Sequence, residues 1–122
     1  MDDELIGRWH AFAAQPKEDI AAQFSDTSCS LFAEIVTKSL RDTSSGNARF
    51  ASSDEFAQCV LDLRSNERAW SRYLGDVLLK AQDELDSGHA AQAKAILSNF
   101  QAICPWHAFA EIAETQLQNI DG

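Results

Sequence analysis

A chain of 122 residues with 45% hydrophobic and 24% charged residues has the size and composition of one globular domain rather than of a disordered segment. Its 19 acidic residues outnumber the 10 basic ones, and the resulting net charge of −9 disfavours direct binding to nucleic acid or to an anionic membrane surface. With 5 Gly and 2 Pro the chain is poor in turn-forming residues, which excludes a β-sandwich or barrel and favours an all-α fold.

The N-terminal residues, the apolar runs and the cysteines together indicate the cellular compartment. The first residues are acidic and lack the basic and apolar regions of a signal peptide, and no apolar run approaches the roughly 20 residues that span a bilayer. The three cysteines, Cys29, Cys59 and Cys104, are odd in number and widely spaced, which is typical of reduced thiols and not of a disulfide framework. We therefore expect a cytoplasmic protein that does not contact membranes.

Three helices are predicted in the first third of the chain. The first covers residues 2–14 and is closed by Pro16, and the second begins at Lys17. The third is expected over 28–41, after the polar run 25–28, whose side chains favour helix caps. In each segment apolar residues recur at spacings of three and four, which places them on one helix face.

The middle of the chain combines a loop with a long apolar pattern. Residues 42–53 form the one clear loop and are expected to be mobile. The loop ends in a capping box, in which Ser52 caps the next helix and Glu55 reaches back. The apolar residues from 53 to 86 recur with the same helical phase, so this segment could form either one long helix or two helices. A break in the central polar patch, with Asn66 as the cap, is the favoured prediction.

Two further helices are predicted towards the end of the chain. Gly88 marks a C-cap and a tight turn, and helices are expected over 89–104 and 106–119, with Pro105 at the first position of the last one. Trp70 heads the best apolar stripe and is expected in the core. The residues expected to face inward on the helix over 89–104 are Ala93, Ile96, Leu97, Phe100 and Ile103.

The predicted fold is all-α, a single helical bundle or a set of stacked helical hairpins with about five to seven helices. Residues 1–122 are expected to form one helical domain, with the mobile loop near 42–53.

Two sequence features could be read as repeats. The segment Trp-His-Ala-Phe-Ala occurs at 9–13 and again at 106–110, which indicates two equivalent recognition surfaces, a duplicated hairpin or simply two apolar core stripes. Residues 74–105 resemble a single degenerate tetratricopeptide hairpin, with small residues at Ala81 and Ala93 and a turn at Gly88. Glu84, Lys80 and Phe100 depart from the repeat, so the resemblance implies a helical hairpin and no peptide groove.

Catalytic and metal motifs are absent from the sequence. Cys104, His107 and Glu111 could form a thiol, its base and an orienting carboxylate, and with His89 they could ligate a metal. The spacing fits no zinc template, and the better interpretation is a buried thiol beside a histidine at a helix boundary. We expect no enzyme activity, no cofactor and no metal.

The distribution of charge points to a binding surface. From residue 81 to the end, the only lysine or arginine is Lys94, whereas Arg64, Arg68 and Arg72 return at four-residue steps earlier in the chain. The acids of the base-poor third are the candidate partner-binding residues, Asp83, Glu84, Asp86, Glu111 and Glu114. Such a surface favours a basic protein partner.

In size and composition the chain resembles small, acidic, helical immunity proteins and antitoxins. The resemblance implies a protein that neutralises a toxin or effector by covering its functional surface. A helical adaptor or chaperone using the tetratricopeptide-like hairpin is the alternative, and a Cys/His enzyme is the third hypothesis. The sequence leaves the partner, its stoichiometry and the oligomeric state open.

Overall fold

The computed structural model describes residues 3–41 and 50–120, and this part of the chain is helical, with six α-helices and no β-strand. The helices are α1 Asp3–Ala13, α2 Lys17–Ala22, α3 Asp26–Ser39, α4 Ser53–Asp86, α5 Ala90–Ile103 and α6 His107–Gln118. The predicted all-α class and number of helices are confirmed. Most of the predicted loop at 42–53 lies outside the described residues.

The chain divides into two compact units, Met1–Glu67 and Arg68–Gly122, called unit 1 and unit 2 below. Unit 1 holds α1, α2, α3 and the first half of α4, and unit 2 holds the rest. The prediction that 1–122 forms a single domain stays a prediction.

Unit 1 is organised around aromatic rings. Trp9 of α1 meets Phe32 of α3 edge-on, with 6.4 Å between the ring centroids. Phe56 of α4 is fully buried and contacts the rings of Phe12, Phe24, Phe32 and Phe50. Because these rings come from α1, α3, α4 and the segments before α3 and α4, their packing holds the elements of unit 1 together.

The helix starts in unit 1 follow cap chemistry. Ser25 caps α3 by accepting a hydrogen bond from the Ser28 amide, and the Ser28 hydroxyl in turn bonds the Ser25 amide, so α3 begins at Asp26 and not at 28. Ser52 accepts from the Glu55 amide at 3.1 Å, as predicted. The Glu55 carboxylate accepts from the Ala51 amide, one residue before the position that a capping box uses.

The predicted break at Asn66 is wrong, because α4 is continuous over Ser53–Asp86. The polar patch contains neither Gly nor Pro, and Ser and Asn cost a helix interior only about 0.5 kcal/mol each relative to alanine. Glu67, which the patch places on the apolar face, is buried and hydrogen-bonded within unit 1. The patch therefore interrupts the apolar pattern without interrupting the helix.

Unit 2 contains a helical hairpin and a third helix packed on it. Gly88 has φ of 82°, a left-handed conformation that favours glycine, and it ends α4 in a Schellman motif. The amide of His89 donates to the Glu84 carbonyl at 2.7 Å, and the Gly88 amide donates to Leu85 at 3.0 Å. The chain thereby turns directly into α5, which packs against α6.

Three predictions about unit 2 need correction. Trp106 caps α6, so Pro105 precedes the cap instead of occupying the first helical position. Ile103 was expected to face inward and is exposed, because it lies at the end of α5 away from the buried face formed by Ala93, Leu97 and Phe100. Trp70 is half-buried, since its ring lies flat against Tyr73 at the edge of the core rather than inside it.

Candidate functional site

The predicted partner-binding acids lie on two helices of unit 2. Asp83, Glu84 and Asp86 occupy the last turns of α4, and Glu111 and Glu114 lie on α6. All are exposed except Glu84, which is half-buried. No hydrogen bond joins the two sets among the described residues, so the structure shows two groups of acids on the end of α4 and on α6.

These carboxylates have almost no cationic partners. Glu84 lies 2.9 Å from Nδ1 of His89, a contact that the Schellman motif at Gly88 makes possible. Asp86 accepts a neutral hydrogen bond from Gln82 at 2.9 Å. Within the described ranges, no lysine or arginine forms an ion pair with any of the five acids. Their negative charge is therefore compensated mainly by solvent and counterions.

An apolar side chain accompanies the acids on α6. Ile112 lies between Glu111 and Glu114 in the sequence and is 42% exposed. Residues one or two positions apart on a helix point in different directions, so Ile112 does not share a helix face with Glu111 or Glu114 and is a separate exposed apolar residue of α6.

The thiol–imidazole arrangement is not formed. Cys104 is fully buried, and its Sγ donates to the Trp106 carbonyl at 3.6 Å. His107 is exposed and makes no hydrogen bond or ion pair with any described residue, and the Glu111 carboxylate likewise has no described partner. A catalytic base must contact both its nucleophile and its orienting group, and His107 here lacks the contact with Glu111.

The other two cysteines are poor nucleophiles. Burial raises the pKa of the Cys29 thiol, and the nearby Asp26 carboxylate raises it further. Burial also raises the pKa of the Cys59 thiol, with smaller contributions from Glu55 and Asp62. Both thiols are therefore protonated at neutral pH, and the thiolate is the reactive form.

The repeated Trp-His-Ala-Phe-Ala segments show the same burial pattern in each unit. Trp9 and Ala13 are buried in unit 1, as Trp106 and Ala110 are in unit 2. The phenylalanine of each segment is half-buried. This pattern supports the interpretation as two apolar helix stripes.

A buried carboxylate is the main polar feature that the sequence did not predict. The Glu67 side chain in unit 1 is 8% exposed and receives hydrogen bonds from two helices. Trp9 Nε1 donates at 3.0 Å, Arg64 Nη1 donates at 2.6 Å, and His10 Nε2 lies at 3.2 Å. The signal was present, because Glu67 falls in phase with the apolar stripe of α4 at a position where a hydrophobic residue is expected.

The Glu67 cluster joins α1 to α4 within unit 1. Its carboxylate accepts from an arginine and an indole and also contacts the half-exposed imidazole of His10 at 3.2 Å. Because buried polar groups require partners, the cluster fixes the register of α1 on α4.

Unit 1 also contains an open hollow of about 800 Å³ between α1 and α3. Phe12, Phe24 and Leu31 give it an apolar floor, and Arg8 and Glu34 lie at its rim. Glu34 is paired with Lys38 at 3.0 Å. The Ser25 and Ser28 hydroxyls that line it are engaged in the cap of α3.

Metal-binding clusters and membrane-spanning helices are both absent from the described part of the chain. Across residues 3–41 and 50–120, no group of three or more His, Cys, Asp and Glu side chains is positioned to hold a metal ion. None of the helices described has the length and hydrophobicity required to cross a bilayer. A comparison with protein-family models, curated proteins and solved structures gave no match.

Proposed function

We propose that this chain is a cytoplasmic inhibitor of the immunity-protein kind, which binds a basic toxin or effector and covers its functional surface. The observation that carries the proposal is the exposed set of carboxylates in unit 2 that lack lysine or arginine partners. Surface acids that are not neutralised within their own chain are available to a cationic partner. The three free thiols fit a reducing compartment.

The carboxylates would act mainly on the rate of encounter. An acidic surface attracts a basic partner over about a Debye length, which is ~10 Å at 0.1 M salt and ~3 Å at 1 M. Charges at the rim of an interface set association and its salt dependence, whereas apolar residues at its centre set dissociation. Ile112, which is 42% exposed on the same helix as Glu111 and Glu114, is the candidate for the second role.

The test begins with a tagged wild-type protein used to capture partners from the native host. A single basic protein supports the proposal, whereas several unrelated clients would favour the adaptor or chaperone alternative. Association with the captured partner is then measured against ionic strength for wild type and for a variant carrying Asp83→Asn, Glu84→Gln, Asp86→Asn, Glu111→Gln and Glu114→Gln.

A matched control separates this surface from total charge. The control neutralises five exposed acids of unit 1 instead, Glu18, Asp19, Asp26, Asp54 and Asp62. Both variants change the net charge from −9 to −4, because each removes five negative charges. We expect the unit 2 variant to associate more slowly at low salt than the control, with the difference shrinking at 1 M. Equal rates for the two variants would show that these five acids are only solvated.

A further inference from the structure

The half of α4 that belongs to unit 2 carries a stripe of residues that the described part of the chain leaves exposed. Its residues follow one another at steps of four, three, four, four and three, close to the helical repeat of 3.6, and so share one face. We call this the α4 stripe, and it consists of Arg68, Arg72, Gly75, Leu79, Asp83 and Asp86, all exposed.

The centre of the stripe is unexpected on a solvated helix. Leu79 is 68% exposed, the largest exposed fraction among the large hydrophobic residues described. Gly75 lies one turn before it, and a Cβ added there would meet nothing within 4 Å. Glycine weakens a helix interior, so its presence is not explained by packing within the chain. The pair offers a protruding leucine next to a gap.

The two ends of the stripe carry opposite charges. Arg68 and Arg72 at the beginning form no ion pair with any described residue. Asp83 and Asp86 at the end have no cationic partner in the same part of the chain. One helix face thus holds two unpaired cations, a gap, a leucine and two carboxylates without cations, in that order.

The order of charges and side-chain sizes along the α4 stripe is complementary to that of a second copy running in the opposite direction. Placed antiparallel about a two-fold axis near residue 77, Arg68 lies opposite Asp86 and Arg72 lies opposite Asp83. Leu79 of each copy then lies opposite Gly75 of the other. We propose that the α4 stripe is a homodimer interface, in which two copies of the chain pack their α4 helices antiparallel.

Side-chain packing and charge pairing both favour this antiparallel contact. Each leucine fills the space that the opposite glycine leaves open, and the small residue lets the helices approach closely. Each copy contributes two cations and two anions, so the symmetric contact forms up to four ion pairs from one surface patch. The stripe is about 27 Å long at 1.5 Å per residue. On a helix about 10 Å wide, a stripe of that length covers much less than the ~800 Å² per partner of a standard interface, so the dimer is weak and forms only at high protein concentration.

The inference is independent of the proposed function, although the two share residues. The dimer would cover Asp83 and Asp86 and leave the α6 acids Glu111 and Glu114 outside the stripe. A basic partner that uses all five acids would therefore compete with self-association.

The test is a charge-complementation experiment followed by sedimentation equilibrium. One variant carries Arg68→Asp and Arg72→Asp, which makes the ends of the stripe uniformly acidic. The other carries Asp83→Arg and Asp86→Arg, which makes them uniformly basic. We expect concentration-dependent dimers for wild type, at least tenfold weaker self-association for each variant alone, and restored dimers in an equimolar mixture of the two. Circular dichroism confirms that each variant remains helical.

A second pair of variants tests the centre of the stripe. Gly75→Gln fills the gap and should weaken wild-type dimerisation, whereas Gly7→Gln changes an equally open helical glycine of α1 and should not. A wild-type protein that stays monomeric to millimolar concentration overturns the proposal. Dimers that persist in both charge variants, or a mixture that fails to restore them, overturn it equally, because the interface must then lie elsewhere.

Discussion

Replacing Glu67 by alanine should destabilise the protein by about 2–4 kcal/mol. The indole of Trp9 is fully buried and donates to Glu67, so its loss leaves an unsatisfied N–H that costs about 1–3 kcal/mol. Arg64 is 28% exposed, and water replaces much of its lost partner, so that contact adds only about 1 kcal/mol. Glu67→Gln keeps an acceptor for the indole and removes only the charge, and should cost about 1 kcal/mol.

Urea unfolding at neutral pH measures both changes from the shift in midpoint, provided that the slope stays constant. Asp62→Ala, which alters an exposed acid on the same helix, should remain within about 0.5 kcal/mol of wild type and serves as the control. The reasoning fails if the alanine and glutamine variants lose the same stability, because the buried indole N–H would then not govern the cost.

Three other predictions follow from local geometry. Trp70→Ala should cost about 1–2 kcal/mol in thermal unfolding, less than the ~3–5 kcal/mol of a fully buried tryptophan, because the ring is half-buried; a loss above that range would place the ring in the core after all. Gly88→Ala should destabilise by about 1 kcal/mol because its φ of 82° is left-handed, whereas Gly7→Ala in mid-helix should stabilise by about 0.5–1 kcal/mol; the opposite signs would contradict the assigned conformations. Burial and Asp26 raise the pKa of the Cys29 thiol, so its alkylation by iodoacetamide at neutral pH should be slower than that of free cysteine, and equal rates would show an ordinary thiol. The pKa of the Cys29 thiol is higher in the folded than in the unfolded state, so its contribution to folding stability is fully present below the unfolded pKa of about 8.5. This contribution is lost as the pH rises through the folded pKa.

The helices themselves could be predicted from the sequence because their signals are local. Apolar spacing, the Ser52 cap and the glycine at position 88 act within one or two turns, and each has the predicted effect in the structure. The acidic character of the end of α4 and of α6 also follows from the sequence, because the charge of a segment depends on its residue types and not on tertiary packing.

The wrong predictions concern features that tertiary contacts determine. The patch around Asn66 suggested a break because polar residues interrupted the stripe. The contact between Glu67 and Trp9, far apart in sequence, shows why a polar residue lies on the buried face of a continuous helix. Trp70 belongs to the stripe by spacing, yet its depth depends on where α5 presents Phe100, 5.9 Å away between ring centroids. Spacing predicts the face of a helix, whereas burial depends on what that face meets.

The placement of the tryptophans gives each unit its own fluorescent reporter. Trp9 is the only tryptophan among residues 1–67, and Trp70 and Trp106 both belong to unit 2. A protein carrying Trp70→Phe and Trp106→Phe emits from unit 1 alone, and Trp9→Phe leaves only the emission of unit 2. Coincident unfolding curves for the two proteins would show that both halves melt as one cooperative body, whereas separated curves would resolve two thermodynamic domains that share the single helix α4.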